Sequence, residues 1–501
     1  MSTHRVIADS PSRLSSTRRK WDSGIPTVLR PVARAYLLGF ATAVGPRLVA
    51  LLVQHGRWRR KDKQATAAGE ATHGEPAFLT ALQRILWGGL DWRGFPIFCA
   101  AVVGGTTFLE RPLRAFLDLL TKDLSAIARR RLSRWFAAFI AAWLSFRLRQ
   151  SKRSPAFTDT IAEPGSNGIP GPGPKTVHYA GRTLDLTLLA VTSALDVIVG
   201  ELWHRHRLRR QAAGKWTPLE AAIGRLTDPA LFALSSGLIM WTWIYQPSRL
   251  PRSYNKWIGS AAAVDARLIE ALQRCREGTL LYGRDTGQAP LLTSMCTDYG
   301  WPAEWGDPAR SIPFPCEMVH MGCGPSCEYH AAVRFLRSFR WAFARYLPIF
   351  LFLTVRRRSV RSLRRAPLSA ARSSAFLAAF ITLFYYGVCL ARTRLGPRVL
   401  GRDVACRQRI DGGYCVAAGC LLCGWSILLE ARGRRKDMAL FVAPRALATL
   451  LPRRYALDKQ WRETLAFAAS TAVVLTCALE NRRRVRGVVG SALGSVFAGS
   501  A

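Results

Sequence analysis

The densest group of side chains able to do chemistry lies in the middle of the 501-residue chain. Cys316, His320, Cys323, Cys327 and His330 follow one another at intervals of three or four residues. Thiolates and imidazoles can hold zinc tetrahedrally, and the first four residues are the candidate metal ligands. Their spacing is not that of a standard zinc finger, so we favour a membrane-surface loop with buried thiols and no cofactor. A disulfide joining Cys327 to Cys316 or to Cys323 is the third alternative.

Two glutamates that close uncharged runs are the next candidates. Glu110 and Glu430 would lie at membrane depth, where an ionisable group is a functional hypothesis by default. Each is followed by basic residues, which favours a simpler role at the end of a helix. We expect an interfacial ion pair of Glu110 with Arg111, and of Glu430 with Arg434 or Arg435.

One aspartate lies inside an apolar block. Asp196 belongs to Leu184–Leu202, and Asp185 precedes it by about three helical turns, so both would lie on a similar face. Asp185 is close to the block's end and fits an interfacial position. Asp196 is the stronger candidate for a polar path through the membrane.

These candidates are positioned by apolar blocks separated by arginine-rich segments. Gly412–Leu429 carries no charge and is long enough to cross hydrocarbon with slight thinning of the bilayer. The pattern predicts an all-α, polytopic transmembrane protein. The other blocks are Pro31–Val53, Gly94–Leu109, Trp135–Phe146, Leu184–Leu202, Pro229–Tyr245, Trp341–Val355, Ser373–Leu390 and Thr464–Leu479.

Glycines at two places predict close helix packing. Gly104 and Gly105 lie in one uncharged run, and Gly419 and Gly424 lie in another. Small residues let helix backbones approach closely in lipid, where apolar area alone gives little association. Aligning Gly104 with Gly424 also superposes the glutamates that end both runs. We infer two related membrane halves, the alternative being chance recurrence in a chain rich in Ala, Arg and Gly.

The charge balance limits the partners. The chain carries 72 Lys and Arg against 32 Asp and Glu, a formal charge of +40. Such a balance first suggests nucleic acid, but the apolar blocks outweigh that interpretation. Basic segments beside membrane helices are attracted to anionic lipid head groups. We therefore expect a lipid bilayer with anionic head groups as partner, and no nucleic acid.

The same patterns divide the chain into segments. The first residues are rich in Arg and Ser and lack the apolar core of a secretory signal peptide. Reduced thiols on an organelle membrane facing the cytosol fit the cysteines better than a disulfide framework. The expected segments are a basic tail (1–30), a membrane half (31–247) with a disordered linker (151–174), a central Cys/His segment (248–340), a second membrane half (341–480) and a basic tail (481–501).

Motifs in the second half of the chain resemble a known family. They are Trp305-Gly-Asp-Pro308, Pro315-Cys-Glu-Met-Val-His320, Cys423-Gly-Trp-Ser-Ile-Leu-Leu-Glu430 and Phe441-Val-Ala-Pro-Arg-Ala-Leu447. They are similar to the fungal branch of the transmembrane protein 135 family, over roughly residues 230–490. The resemblance implies a polytopic protein of peroxisomal or mitochondrial membranes, distantly related to channel subunits of the inner-membrane translocases. It implies no defined enzymatic reaction.

The leading functional hypothesis is therefore non-enzymatic. We expect an integral protein that maintains peroxisomes or mitochondria and passes lipids, metabolites or polypeptides through helix-lined grooves. One alternative is a scaffold that recruits organelle-division or lipid-handling proteins through its basic segments. The other is a lipid-modifying enzyme or metalloprotein that uses the central cysteines and histidines. A homo-oligomer or a complex with other organelle membrane proteins is the expected assembly.

Overall fold

The protein is built almost entirely of α-helices. The computed structural model describes residues 22, 24–67, 78–121, 123–161, 175–355 and 360–498. The helices of the first part are α1 (Arg30–Ala67), α2 (Phe78–Leu90), α3 (Phe95–Leu120), α4 (Ala126–Gln150), α5 (Leu184–Ala212) and α6 (Pro218–Tyr245). Shorter helices follow: α7 (Arg252–Ala262), α8 (Ala266–Glu277), α9 (Ala289–Tyr299) and α10 (Cys316–His320).

The second part returns to long helices. They are α11 (Cys327–Val355), α12 (Val360–Leu390), α13 (Gly396–Val399), α14 (Val404–Arg409), α15 (Cys415–Cys423), α16 (Arg432–Leu450), α17 (Gln460–Glu480) and α18 (Gly487–Val496). Two π-helical turns, Ala391–Leu395 and Ile410–Tyr414, flank α13 and α14, and a 3₁₀ segment, Gly424–Leu429, extends α15. The uncharged run Gly412–Leu429 thus contains three successive helix types, with a kink at Gly413, whose backbone angles are not helical.

Several helices are long and apolar enough to span a membrane. Among the described residues six stretches qualify, and they confirm the all-α, polytopic prediction. A multi-pass membrane protein fits this number of spans. The stretches are Arg30–Gly56, Phe78–Leu120, Leu184–Ala212, Leu363–Val399, Val404–Leu429 and Leu457–Glu480.

Local sequence explains where several helices begin. Ser125 caps α4 by accepting a hydrogen bond from the Ala128 amide. Thr217 and Glu220 form a reciprocal capping box at the start of α6, with Pro218 in the first position. These groups satisfy backbone N–H donors that lack partners inside the helix.

The buried side chains form two main cores that cross the expected boundary between the halves. One core joins α6, α12 and α15 to the central helices α7–α10. The other joins α1, α3 and α4 to α17 and α18, which come from the far end of the chain. Phe467 of α17 stacks on Phe146 of α4 with ring centroids 4.0 Å apart. The N-terminal membrane helices therefore complete their core with C-terminal helices.

For three of the predicted segments, the structure either differs from the prediction or does not describe all of the residues. Residues 1–21 of the predicted basic tail and residues 162–174 of the predicted linker lie outside the described residues. The flanks of that linker are ordered, because Thr158–Ile161 and Lys175–His178 pair as antiparallel strands β1 and β2. The expected C-terminal tail contains α18, whose last residue, Val496, is buried.

Candidate functional site

Four ligand-capable side chains converge where the central segment meets α12. The Sγ of Cys316 lies 3.8 Å from that of Cys327 and 3.7 Å from that of Cys389. The Sγ of Cys389 lies 3.4 Å from Nε2 of His320. One ligand atom from each residue falls within 4.8 Å of the others. We call these four residues the cysteine–histidine cluster.

The membership of the cluster differs from the sequence candidates at one position. Cys316, His320 and Cys327 were expected together, and the structure brings them together. Cys323 is not among the clustered ligands, and Cys389 from α12 takes its place. Cys389 is an apolar-block cysteine far along the chain from the others, so local spacing carried no signal for it.

A tight turn between α10 and α11 arranges the first three ligands. Met321, Gly322 and Gly324 all have positive φ, which reverses the chain within a few residues. The turn directs the carbonyl of Gly324 towards Nδ1 of His320, 2.8 Å away. Nδ1–H donates to this carbonyl, which leaves Nε2 on the side of the three sulfur atoms.

The cluster favours an ionised sulfur at Cys316, whereas burial and the neighbouring Cys316 charge raise the pKa of Cys327 to about 11. The hydrogen bond with Cys389 lowers the pKa of Cys316 to about 4, and His320 adds to this effect against burial. Burial lowers the pKa of His320, but hydrogen bonds to Cys316 and Gly324 outweigh it and raise that pKa above its usual value. A thiolate beside an imidazole is the form that binds metals and reacts as a nucleophile.

A buried ion pair beside the cluster was not foreseen from the sequence. Nε of Arg392 lies 2.6 Å from Oδ1 of Asp411, and both side chains are almost fully buried. Tyr282 donates a hydrogen bond of 2.6 Å to the same carboxylate, and Arg392 also donates to the carbonyl of Phe314. Both charged residues lie in π-helical turns, which often occur at functional positions. The network fixes Phe314, two residues before Cys316.

The predicted membrane-embedded acids are all paired with arginine. Glu110 accepts from Nε of Arg134 at 2.8 Å, so its partner comes from α4 and is not Arg111. Glu430 accepts from Nη1 of Arg434 at 2.8 Å, one of the two expected partners. None of the acids lines the apolar cavities described below.

Asp196 makes the longest-range of these pairs. Its Oδ2 accepts from Nε of Arg486 at 2.9 Å, which ties α5 to the segment before α18. Arg486 also approaches Asp228 on α6 at 3.4 Å. The carboxylate of Asp196, which was expected to line a polar path, is therefore bound in an ion pair with a structural role.

The four predicted glycines lie at helix–helix contacts. A Cβ added at Gly104 would lie 3.3 Å from Val32 of α1, and one at Gly105 would lie 2.7 Å from Ala141 of α4. At Gly419 the added atom would lie 2.7 Å from the carbonyl oxygen of Phe384 on α12. At Gly424 it would clash with the backbone of α6.

Two apolar cavities lie between the described membrane helices. The first cavity, of about 320 Å³, lies between α1, α3, α5, α17 and α18. The second cavity, of about 360 Å³, lies between α6, α7, α11, α12 and α16. No charged side chain is among the described residues that line either one. Representative residues of the first are Leu38, Phe98, Leu189, Leu475, Val489 and Val496.

An arginine cleft lies beside the first cavity. Ser193 lines the cavity and Val197, one turn further along α5, lines a cleft of about 910 Å³. The cleft also shares α17 with the cavity, and it contains two acids, Glu201 and Glu480. Its arginines among the described residues are Arg130, Arg131, Arg134, Arg205 and Arg484. Arginines therefore outnumber acids in a cleft that lies beside an apolar cavity.

Comparisons with family models, curated proteins and solved structures found no match to this chain. The family resemblance of the central and C-terminal motifs therefore stays a prediction.

Proposed function

We propose that this chain is a multi-pass organelle membrane protein that binds and passes lipids, with no enzymatic step of its own. The observation that carries the proposal is the position of the arginine cleft beside the first cavity, along the same two helices, α5 and α17. An apolar space of this size is within the range of ligand pockets, about 300–1,000 Å³. An acyl chain would occupy the first cavity while an anionic head group would contact the cleft.

The charges of the cleft support an anionic lipid over a neutral one. Arg131 pairs with Glu480 at 2.8 Å. Arg205 and Arg484 both pair with Glu201, and Arg134 pairs with Glu110 outside the cleft. The cleft still holds more arginines than acids, so a phosphate group adds counter-charge instead of competing with it. Guanidinium groups recognise phosphate through paired hydrogen bonds.

Membrane location supports lipid over metabolite or polypeptide cargo. Four helices that line the first cavity belong to candidate spans, which are Arg30–Gly56, Phe78–Leu120, Leu184–Ala212 and Leu457–Glu480. Lipid is then the abundant apolar solute beside the cavity. No carboxylate that could hold a polar solute is among the described residues lining this cavity.

The resemblance to the transmembrane protein 135 family supports a peroxisomal or mitochondrial membrane. A tagged protein is expected to colocalise with markers of one or both organelles and to resist alkaline extraction. Colocalisation with the secretory pathway alone would contradict this part of the proposal.

Lipid binding is tested by mass spectrometry of the purified protein after detergent exchange. Wild-type protein is expected to retain anionic phospholipid, and Ala190→Phe is expected to lose most of it because the new ring fills the first cavity. Val199→Phe is the matched control, since it adds a ring to α5 at a side chain that is 57% exposed. Retention equal in all three proteins would place the lipid elsewhere.

A wild-type protein that retains no phospholipid would contradict the proposal outright. The scaffold alternative would then gain support, because its basic segments need no cavity. Arg130→Gln tests the head-group contact separately. It is expected to reduce the ratio of anionic to neutral lipid retained, without emptying the cavity.

A further inference from the structure

Three distances within the cysteine–histidine cluster match the edges of a tetrahedral metal site, and its four ligand atoms all lie within 4.8 Å of one another. Zinc bonds to sulfur at about 2.3 Å, which places two thiolates of a tetrahedron about 3.8 Å apart. The two sulfur–sulfur distances from Cys316 are 3.8 and 3.7 Å. With a zinc–nitrogen bond of about 2.0–2.1 Å, the sulfur–nitrogen edge would be about 3.6 Å. The distance from Cys389 to Nε2 of His320 is 3.4 Å.

The histidine is oriented as a metal ligand. Histidines that bind metals usually donate their other ring N–H to a carbonyl or carboxylate, which fixes the tautomer. His320 has this arrangement, with Nδ1 2.8 Å from the carbonyl oxygen of Gly324. It is almost fully buried, so its Nε2 faces the sulfur atoms and not water.

A disulfide accounts for the geometry less well. A bond between two sulfur atoms is about 2.05 Å long and joins only one pair. Cys316 is nearly equidistant from Cys327 and Cys389, so a disulfide with either would leave the third thiol and the histidine without a role. Four convergent ligands instead match the number that structural zinc sites use.

We propose that Cys316, His320, Cys327 and Cys389 bind one zinc ion in a structural site. All four positions of the tetrahedron are filled by protein, as in structural and not catalytic zinc sites. The ion joins α10 and the start of α11 to the end of α12, within the candidate span Leu363–Val399. It thereby anchors the central segment to a membrane helix. This inference does not depend on lipid binding.

The test is the metal content of full-length protein purified without chelator from zinc-supplemented cells. Elemental analysis of wild type is expected to find one tightly held zinc per chain. Cobalt(II) added to metal-depleted protein is expected to give the intense absorption of a tetrahedral thiolate complex. Wild-type protein with no retained zinc and no such cobalt spectrum would overturn the proposal, without any need for a variant.

Substitutions identify the ligands. Cys389→Ser and Cys327→Ser are expected to lose the zinc, whereas Cys323→Ser is the matched control and keeps it. His320→Cys is expected to retain zinc with four thiolates, which separates lost ligation from failed folding. Zinc retained in Cys389→Ser, or lost in Cys323→Ser, would show that this cluster is not the site.

Discussion

At the scale of single residues, Arg392 and Asp411 form an ion pair shielded from water. The two side chains are 2% and 1% exposed, so neither charge has water to replace its partner. Removing one partner of a buried pair leaves an uncompensated charge, which costs more than the pair itself contributes. The pair also positions the carbonyl of Phe314 close to the cysteine–histidine cluster.

Asp411→Asn is therefore expected to lower the free energy of unfolding by about 3–5 kcal/mol. The measurement is thermal unfolding in detergent, followed by the loss of the monodisperse peak in size-exclusion chromatography. The double variant Arg392→Met, Asp411→Leu is expected to recover much of the loss, because it removes both charges.

An exposed ion pair supplies the control. Glu328 and Arg394 are each about half exposed, so Glu328→Gln is expected to cost less than about 1 kcal/mol. Equal effects of the buried and exposed substitutions would mean that the carboxylate of Asp411 is hydrated.

At the scale of helices, the glycines determine how closely the spans approach. Gly105 faces Ala141, and Gly424 faces the backbone of α6 at Ala233. A larger side chain at either position pushes the neighbouring helix away and loses many dispersion contacts together. Gly104 is less tightly packed, since its nearest neighbour is a movable methyl group of Val32.

Gly105→Leu and Gly424→Leu are each expected to destabilise the protein by about 1–3 kcal/mol, through overpacking. Gly200→Leu is the matched control, because a Cβ at that helical glycine meets no atom within 4 Å. Protease sensitivity and the size-exclusion profile in detergent measure the effect. If all three variants behaved as wild type, the two glycine contacts would not determine helix packing.

At the scale of the whole molecule, the two ends of the chain share one core. Glu463 on α17 accepts hydrogen bonds from Thr183 and Thr187 of the N-terminal half at 2.6 and 3.1 Å. Thr464 donates to Gln150 at 2.9 Å. The sequence pattern predicts residues 31–247 to be one membrane half. The hydrophobic core of this half nevertheless includes side chains from the C-terminal part of the chain.

A fragment of residues 1–247 is therefore expected to aggregate when expressed alone. Coexpressed with residues 248–501, it is expected to form a single complex in detergent, because α17 then fills the core beside α4 and α5. Copurification through a tag on one fragment measures this. A monodisperse 1–247 fragment on its own would contradict the shared core.

The sequence by itself determined the helical class and most of the spans. An uncharged run such as Gly412–Leu429 carries its preference for helix and for hydrocarbon within its own residues. The glycines and the acids at helix ends were also recognisable, because small size and charge are properties of single side chains. The inferred duplication of the two halves stays a prediction.

Only the tertiary structure decided which distant side chains meet. Cys389 joins Cys316 because α12 packs beside the central segment, and Glu110 pairs with Arg134 because α4 folds back on α3. Hydropathy indicates that a helix is removed from water, but it does not indicate which face of the helix contacts which neighbouring helix. The reason is that lipid and the protein interior are similarly apolar. The shared core of α4 and α17 has the same origin, because contacts between distant segments leave no periodic signal in the chain.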